Sequence, residues 1–125
     1  MNLNQVTVPS LNVEKAIGFY ETLGLILIVK SLPKYARFEC PDGNSTFSIH
    51  YVEKLTNGTG ITVYFEDDHL DELVAKLTSK GVKFESLPKD QPWLWREAHL
   101  KDLDGNAIIL YQAGENRKNP PWRIK

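Results

Sequence analysis

The sequence predicts an α+β fold built from two tandem βαβββ modules, each supplying one mixed sheet. Three observations carry that prediction. Two stretches, "CPDGNSTFSIHY" (Cys40 to Tyr51) and "DLDGNAIILY" (Asp102 to Tyr111), share an Asp-Gly-Asn turn that leads into an apolar, β-branched run. Each turn is preceded by the same succession of strand, helix, strand and strand signals. Each helical segment repeats apolar residues at helical spacing between a capping residue and a glycine.

The first module, about residues 1–55, opens with "LNQVTV", whose alternation reads as a strand. In "NVEKAIGFYETLG", Val13, Ala16, Ile17, Tyr20 and Leu23 fall at helical spacing, with Asn12 as N-cap and Gly24 as the stop. "LILIVKS", "YARFEC" and "STFSIHYVE" follow as three strands, the last two joined across Asp42-Gly43-Asn44. The second module, about 58–113, repeats the pattern. "ITVYFE" is its first strand, and "DDHLDELVAKLTSKG" its helix, with Leu70, Leu73, Val74 and Leu77 on one face, Asp68 as cap and Gly81 as the end. His69 falls on the first turn and reads as a solvated surface residue. "VKFESL", "REAHLK" and "AIILYQ" are the remaining strands, the last two joined across Asp104-Gly105-Asn106. In the tail, 114–125, Pro120 and Pro121 exclude a helix or a central strand. An extended path is expected there, with Trp122 docked on its own domain or on a neighbouring chain.

Four strands and one helix leave one face of a sheet open to water, so neither module can bury its sheet alone. The two are therefore expected to form a single domain over 1–125, with their uncovered faces enclosing a ligand cleft.

Composition narrows the function. At 125 residues the chain is long enough for one domain with one ordinary core. Charged residues make up 25% of it, the formal net charge is -1, and no basic run offers an electrostatic footprint for nucleic acid. No apolar run approaches the roughly 18 residues of a membrane helix, and "MNLNQVTVPS" has no basic stretch followed by an apolar one. A cytoplasmic protein without membrane or nucleic-acid partners is expected. Cys40, the single cysteine, has no adjacent base or metal-ligating neighbour and reads as structural.

Three segments, "QVTVPSLNVEKAIGFYETLGL", "VYFEDDHLDELVAKLTSKGVKF" and "REAHLKDLDGNAIILYQ", together resemble the vicinal oxygen chelate superfamily, which includes glyoxalase I, bleomycin-resistance proteins and extradiol dioxygenases. The resemblance covers nearly the whole chain except the tail after Gly114. It implies paired βαβββ modules whose mixed sheets form a U-shaped cleft, and commonly a homodimer. In metal-dependent members, a divalent ion is held by side chains from the first and last strand of each module. Those positions fall here on Gln5, Ser48, Thr62 and Ile109. A glutamine can ligate, but a threonine hydroxyl is a poor ligand beside imidazole and isoleucine has no lone pair. The resemblance thus implies no metal and no cofactor for this chain. A displaced set of Gln5, His50, Glu97 and His99 would need a new geometry, with ligands converging within about 2.0–2.3 Å of one point.

The loop "KDQPWLWRE" places Trp93 and Trp95 just ahead of a strand expected to border the cleft. Such rings can wall a flat or apolar ligand and accept cations, and Arg96 and Glu97 add charge beside them. The phrasing is similar to that of metal-free bleomycin-resistance proteins, which sequester a drug without altering it. The competing reading has one tryptophan in the core and the other at a subunit interface. The expected function is small-molecule binding at the boundary of a homodimer, with Gln5, Ser48, His50, Thr62, Trp93, Trp95, Arg96, Glu97 and Ile109 as candidate ligand-binding residues. The alternative is a divalent-metal-dependent lyase, isomerase or dioxygenase of the same superfamily, with Gln5 and His50 or Glu97 as ligands.

Overall fold

In the computed structural model, which describes residues 1–58 and 60–124, the elements run β1 (Gln5–Ser10), α1 (Val13–Leu23), β2 (Ile26–Ser31), β3 (Tyr35–Glu39), β4 (Thr46–Tyr51), β5 (Thr62–Glu66), α2 (Leu70–Ser79), β6 (Ser86–Asp90), β7 (Arg96–Lys101) and β8 (Ala107–Gln112). Thr59 and Lys125, assigned by sequence to the second module and the tail, lie outside the described residues. The predicted tandem βαβββ arrangement is what forms. One sheet has the order β1-β4-β3-β2 and the other β5-β8-β7-β6. In each, the helix carries the chain from one edge strand to the opposite edge, and two antiparallel steps bring the last strand back parallel to the first. The chain divides into two compact units, Met1–Ile61 with Asp102–Asn106, and Thr62–Lys101 with Ala107–Lys125.

In the first unit, both predicted caps of α1 form. The Asn12 side chain accepts from the Lys15 amide at 3.1 Å, and Gly24 takes the left-handed φ of 107° that stops the helix. Tyr20 projects from α1 onto Phe47 and Phe38, at ring-centroid distances of 4.6 and 5.8 Å. The helix therefore covers the sheet face that carries Phe38 and Phe47 and, by alternation and register, Val8, Ala36 and Ile49, all buried. The opposite face carries Gln5, Thr7, Tyr35, Arg37, Thr46, Ser48 and His50.

The two Asp-Gly-Asn turns share a backbone requirement but differ in attachment. Gly43 and Gly105 both have positive φ, 76° and 84°. The first turn closes its hairpin through the Cys40 amide and the Ser45 carbonyl at 3.0 Å. The second groups with the first unit because its side chains reach into it. Asp102, standing where the first turn has Cys40, accepts from the buried Tyr20 hydroxyl at 2.5 Å, Asp104 accepts from the Leu11 amide at 2.7 Å, and the Asn106 side-chain Nδ2 donates to the Pro9 carbonyl at 3.0 Å. Cys40 itself is partly buried, and burial, followed by the Asp42 charge, pushes its thiol up, away from a reactive thiolate.

In the second unit, α2 buries Leu70, Val74 and Leu77. Three local expectations differ here. Asp68 does not cap the helix. His69, exposed, is the N-cap residue, and its amide donates instead to Asp67 Oδ1 at 2.8 Å. The strand expected over "VKFESL" begins only at Ser86: the Val82 amide closes the end of α2 on the Leu77 carbonyl at 3.0 Å, and the Glu85 amide donates to the His99 carbonyl of β7 at 2.8 Å. Pro88 is tolerated inside β6 because that strand is an edge. In the tail, Gly114–Arg117 forms a 3-10 turn rather than an extended run. The prolines lie beyond it, and Glu66 anchors its start by accepting from the Ala113 and Gly114 amides at 3.0 and 2.9 Å. Trp122 is 58% exposed. No helix of the described residues is long and apolar enough to cross a membrane.

Candidate functional site

Alternation along β7 and β8 sorts the second unit's side chains into two sets. Ala98 opposes Leu110 and Leu100 opposes Ile108, and these four buried residues share their face with Arg96, whose guanidinium reaches Asp71 of α2. That is the helix-covered face. The other face carries Thr62 and Tyr64 from β5, Glu97 and His99 from β7, and Ile109 and Tyr111 from β8.

An aromatic cluster dominates this helix-free face. Trp95 stacks on Tyr111 at 4.6 Å with an interplanar angle of 18°, and Tyr64 meets both edge-on at 5.9 and 5.7 Å. The Trp95 indole donates to the Asn116 carbonyl at 3.3 Å, which ties the cluster to the 3-10 turn. Burial, then the Glu66 charge, pushes the Tyr111 phenol up and keeps it neutral. Ile109, 8% exposed, sits in register between Tyr64 and His99. Beside it runs a polar chain. Glu97, only 2% exposed, accepts from the Trp93 indole at 2.7 Å and lies 2.9 Å from His99 Nε2. Trp93 leaves 46% of its surface exposed, so Trp95 is the packed member of the tryptophan pair and Trp93 the accessible one.

On the helix-free face of the first sheet, Gln5 Oε1 accepts from the Thr46 hydroxyl at 2.8 Å. The fully buried Ser48 hydroxyl lies 2.6 Å from that of Thr7, and His50 is exposed near the end of β4. Gln5 opposes Thr46 as Thr62 opposes Ala107, so Ser48 holds in the first sheet the place that Ile109 holds in the second. The first turn has one residue more than the second. The structure thus places Gln5, Ser48 and His50 on one helix-free face, and Thr62, Glu97 and Ile109 on the other with the aromatic cluster. Arg96 is not brought together with them. It binds Asp71 at 2.9 and 3.2 Å and Asp90 at 3.0 Å on the helix side, and its hydrogen bonds hold the Asp71 carboxyl below the usual range. A shallow cavity of about 350 Å³ lies on that side, lined by Asp68, Asp90, Leu94, Arg96 and Gln112. Tyr64 and Tyr111 are not among the candidates that the sequence offers, and His99 is one only for a displaced metal set, although the two-residue period of "ITVYFE", "REAHLK" and "AIILYQ" already puts them beside Thr62, Glu97 and Ile109.

The donor chemistry at the four positions implied by the resemblance does not fit a divalent ion. Ile109 offers only alkyl groups, Thr62 a hydroxyl, and the Gln5 oxygen and Ser48 hydroxyl are already hydrogen-bonded within the sheet. Among the described residues, no group of three or more His, Cys, Asp or Glu gathers in a way that could hold a metal. Glu97 and His99 are engaged with each other.

The same architecture recurs in solved structures. A lactoylglutathione lyase from Agrobacterium tumefaciens is 16% identical, with 89% of this chain and 92% of that one covered at a TM-score of 0.74. A bleomycin-binding protein complexed with bleomycin is 20% identical, with coverage of 90% and 98% and a TM-score of 0.74. A glyoxalase/bleomycin resistance protein/dioxygenase superfamily member from Sphaerobacter thermophilus DSM 20745 is 25% identical, with coverage of 90% and 97% and a TM-score of 0.72. Among curated proteins none matches. The sequence profile of one family spans residues 2–110, both βαβββ modules from the first strand to the last. With that match over most of its length, the chain belongs to the Glyoxalase/Bleomycin resistance protein/Dioxygenase superfamily.

Proposed function

We propose that this protein binds a small aromatic or amphipathic molecule without a metal, holding it against the helix-free face of the second sheet and sequestering it unchanged. The observation that carries this reading is the Tyr64–Trp95–Tyr111 cluster beside the alkyl side chain of Ile109. Tyr64 is 48% exposed and so accessible to a flat ligand, while the Trp93–Glu97–His99 chain supplies polar atoms alongside. Support for sequestration comes from the similar fold of the bleomycin-binding protein, and support for a metal-free site from Ile109, which offers no lone pair at one of the ligand positions that the resemblance implies. Thr62, on the same face of the second sheet, is assigned to the same ligand, and a two-fold pairing of chains, supported by the exposed Trp93 and Trp122, belongs to the same reading.

Bleomycin, titrated in the presence of EDTA with tryptophan fluorescence as the readout, tests the proposal. A saturable change that EDTA leaves intact is expected. Tyr64→Ala should weaken it roughly 3- to 10-fold, the equivalent of about 0.5–1.5 kcal/mol of aromatic contact. Saturation that appears only after zinc or nickel is added would overturn the reading.

A further inference from the structure

We propose that the helix-free face of the first sheet carries an oxyanion-binding site centred on Arg37, taking a carboxylate or phosphate group. The residues that form it all belong to the first unit, and nothing in the sequence motifs singles it out. Arg37 lies on β3, in register with Ser48 of β4 and Val29 of β2, and is partly buried. Its Nε donates to the Tyr35 hydroxyl at 2.8 Å, and its guanidinium carbon stands 5.5 Å from the centroid of the same ring. These contacts fix the plane of the guanidinium while using only one of its five donors. Among the described residues, Arg37 makes no ion pair and its two Nη groups make no hydrogen bond. By contrast, Arg96 is held by two aspartates and Arg117 by Glu66. The titratable groups sharing its face are Tyr35, Glu39 and His50, and Glu39 forms no ion pair with it.

A partly desolvated cation held in one plane with its terminal fork unused matches what bidentate recognition of an oxyanion requires. The surroundings are built for polarity rather than packing. Thr7 and Ser48 form a hydroxyl pair at 2.6 Å, and Ser48 is fully buried. The Tyr35 phenol reports the local field. Burial pushes it up, but hydrogen bonds with Ser48 and Arg37 and the Arg37 charge outweigh that and hold it below its usual value. A bound anion would neutralise Arg37 and let the phenol return upward.

The test uses the full chain and two anions, inorganic phosphate and acetate, titrated at constant ionic strength against chloride. The readouts are the Arg37 Nε–H resonance and the Ser48 backbone amide in nitrogen-15 spectra. At least one anion should shift both signals saturably where chloride does not. Saturation by phosphate alone would assign a phosphate group, by acetate alone a carboxylate, and by both a general oxyanion site. Arg37→Gln should abolish the Ser48 response. Tyr35→Phe, which keeps the charge but releases Nε, should weaken binding roughly threefold or more, as expected when a positioned charge-assisted contact is loosened. Ser48 responses that match the chloride control in the native chain, or that persist unchanged in Arg37→Gln, would overturn the proposal.

Discussion

Asp102→Ala is expected to cost about 3–5 kcal/mol of folding stability, because one carboxylate satisfies a cluster of buried donors at once. Asp102 accepts from the Tyr20 hydroxyl at 2.5 Å, from the Asp104 and Asn106 amides at 2.9 and 2.8 Å, and from the Asn106 side chain at 2.8 Å. Alanine leaves the fully buried Tyr20 hydroxyl without an acceptor and releases a loop whose other attachments, to Leu11 and Pro9, depend on its shape. Tyr20→Phe is the control. It removes one donor together with the need for its acceptor and should cost about 1–2 kcal/mol. The pair also separates by pH. Burial, then the Asp102 charge and hydrogen bond, push the Tyr20 phenol far above its usual value. With the folded value raised, the stabilisation is complete below about pH 10 and declines above it, where the unfolded chain loses a proton that the folded chain keeps. Urea unfolding at neutral and alkaline pH should therefore show an alkaline decline that Tyr20→Phe reduces. A loss below about 1 kcal/mol in Asp102→Ala would show that the loop is not an anchor.

Ile109→Glu is expected to cost about 1–3 kcal/mol at neutral pH, since it places a carboxylate at an almost fully buried position with no ion to compensate it. Ile109→Gln, similar in shape and uncharged, isolates the ionic part. Burial raises the folded pKa of the new carboxyl, so the penalty is absent below its unfolded value of about 4.3 and grows as pH rises. The gap between the Glu and Gln variants should open between about pH 4 and 7 in thermal or urea unfolding. Equal losses at pH 7 would mean that position 109 is open to water and that no carboxylate was excluded from it.

Where repeating local chemistry determined an element, the sequence disclosed it. Asn12, Gly24 and the apolar stripe of α1 were legible because a cap, a left-handed stop and a helical period are local properties. "REAHLK" and "AIILYQ" coincide with β7 and β8 because central strands pair along their whole length. β6 starts later than "VKFESL" suggests because the chain after α2 first closes the helix end through the Val82 amide, which depends on tertiary position. Of the candidate site, the tryptophans, His99 and Ile109 stood out by residue type, whereas Tyr64 and Tyr111 needed strand parity to join them. Arg96 and Glu97, adjacent in sequence, end on opposite faces for the same reason. The asymmetry of the two Asp-Gly-Asn turns was hidden because the partners of Asp102 and Asp104 lie some 80 to 90 residues away in the chain, as the separations of 82 and 93 show.

Ligand binding without a resident metal is tested most directly by metal analysis of the protein purified without chelator or affinity tag. Zinc, nickel, iron and manganese are each expected well below one equivalent per chain after dialysis, with bleomycin binding undiminished. One equivalent of any of them, retained through dialysis and required for binding, would contradict metal-free binding.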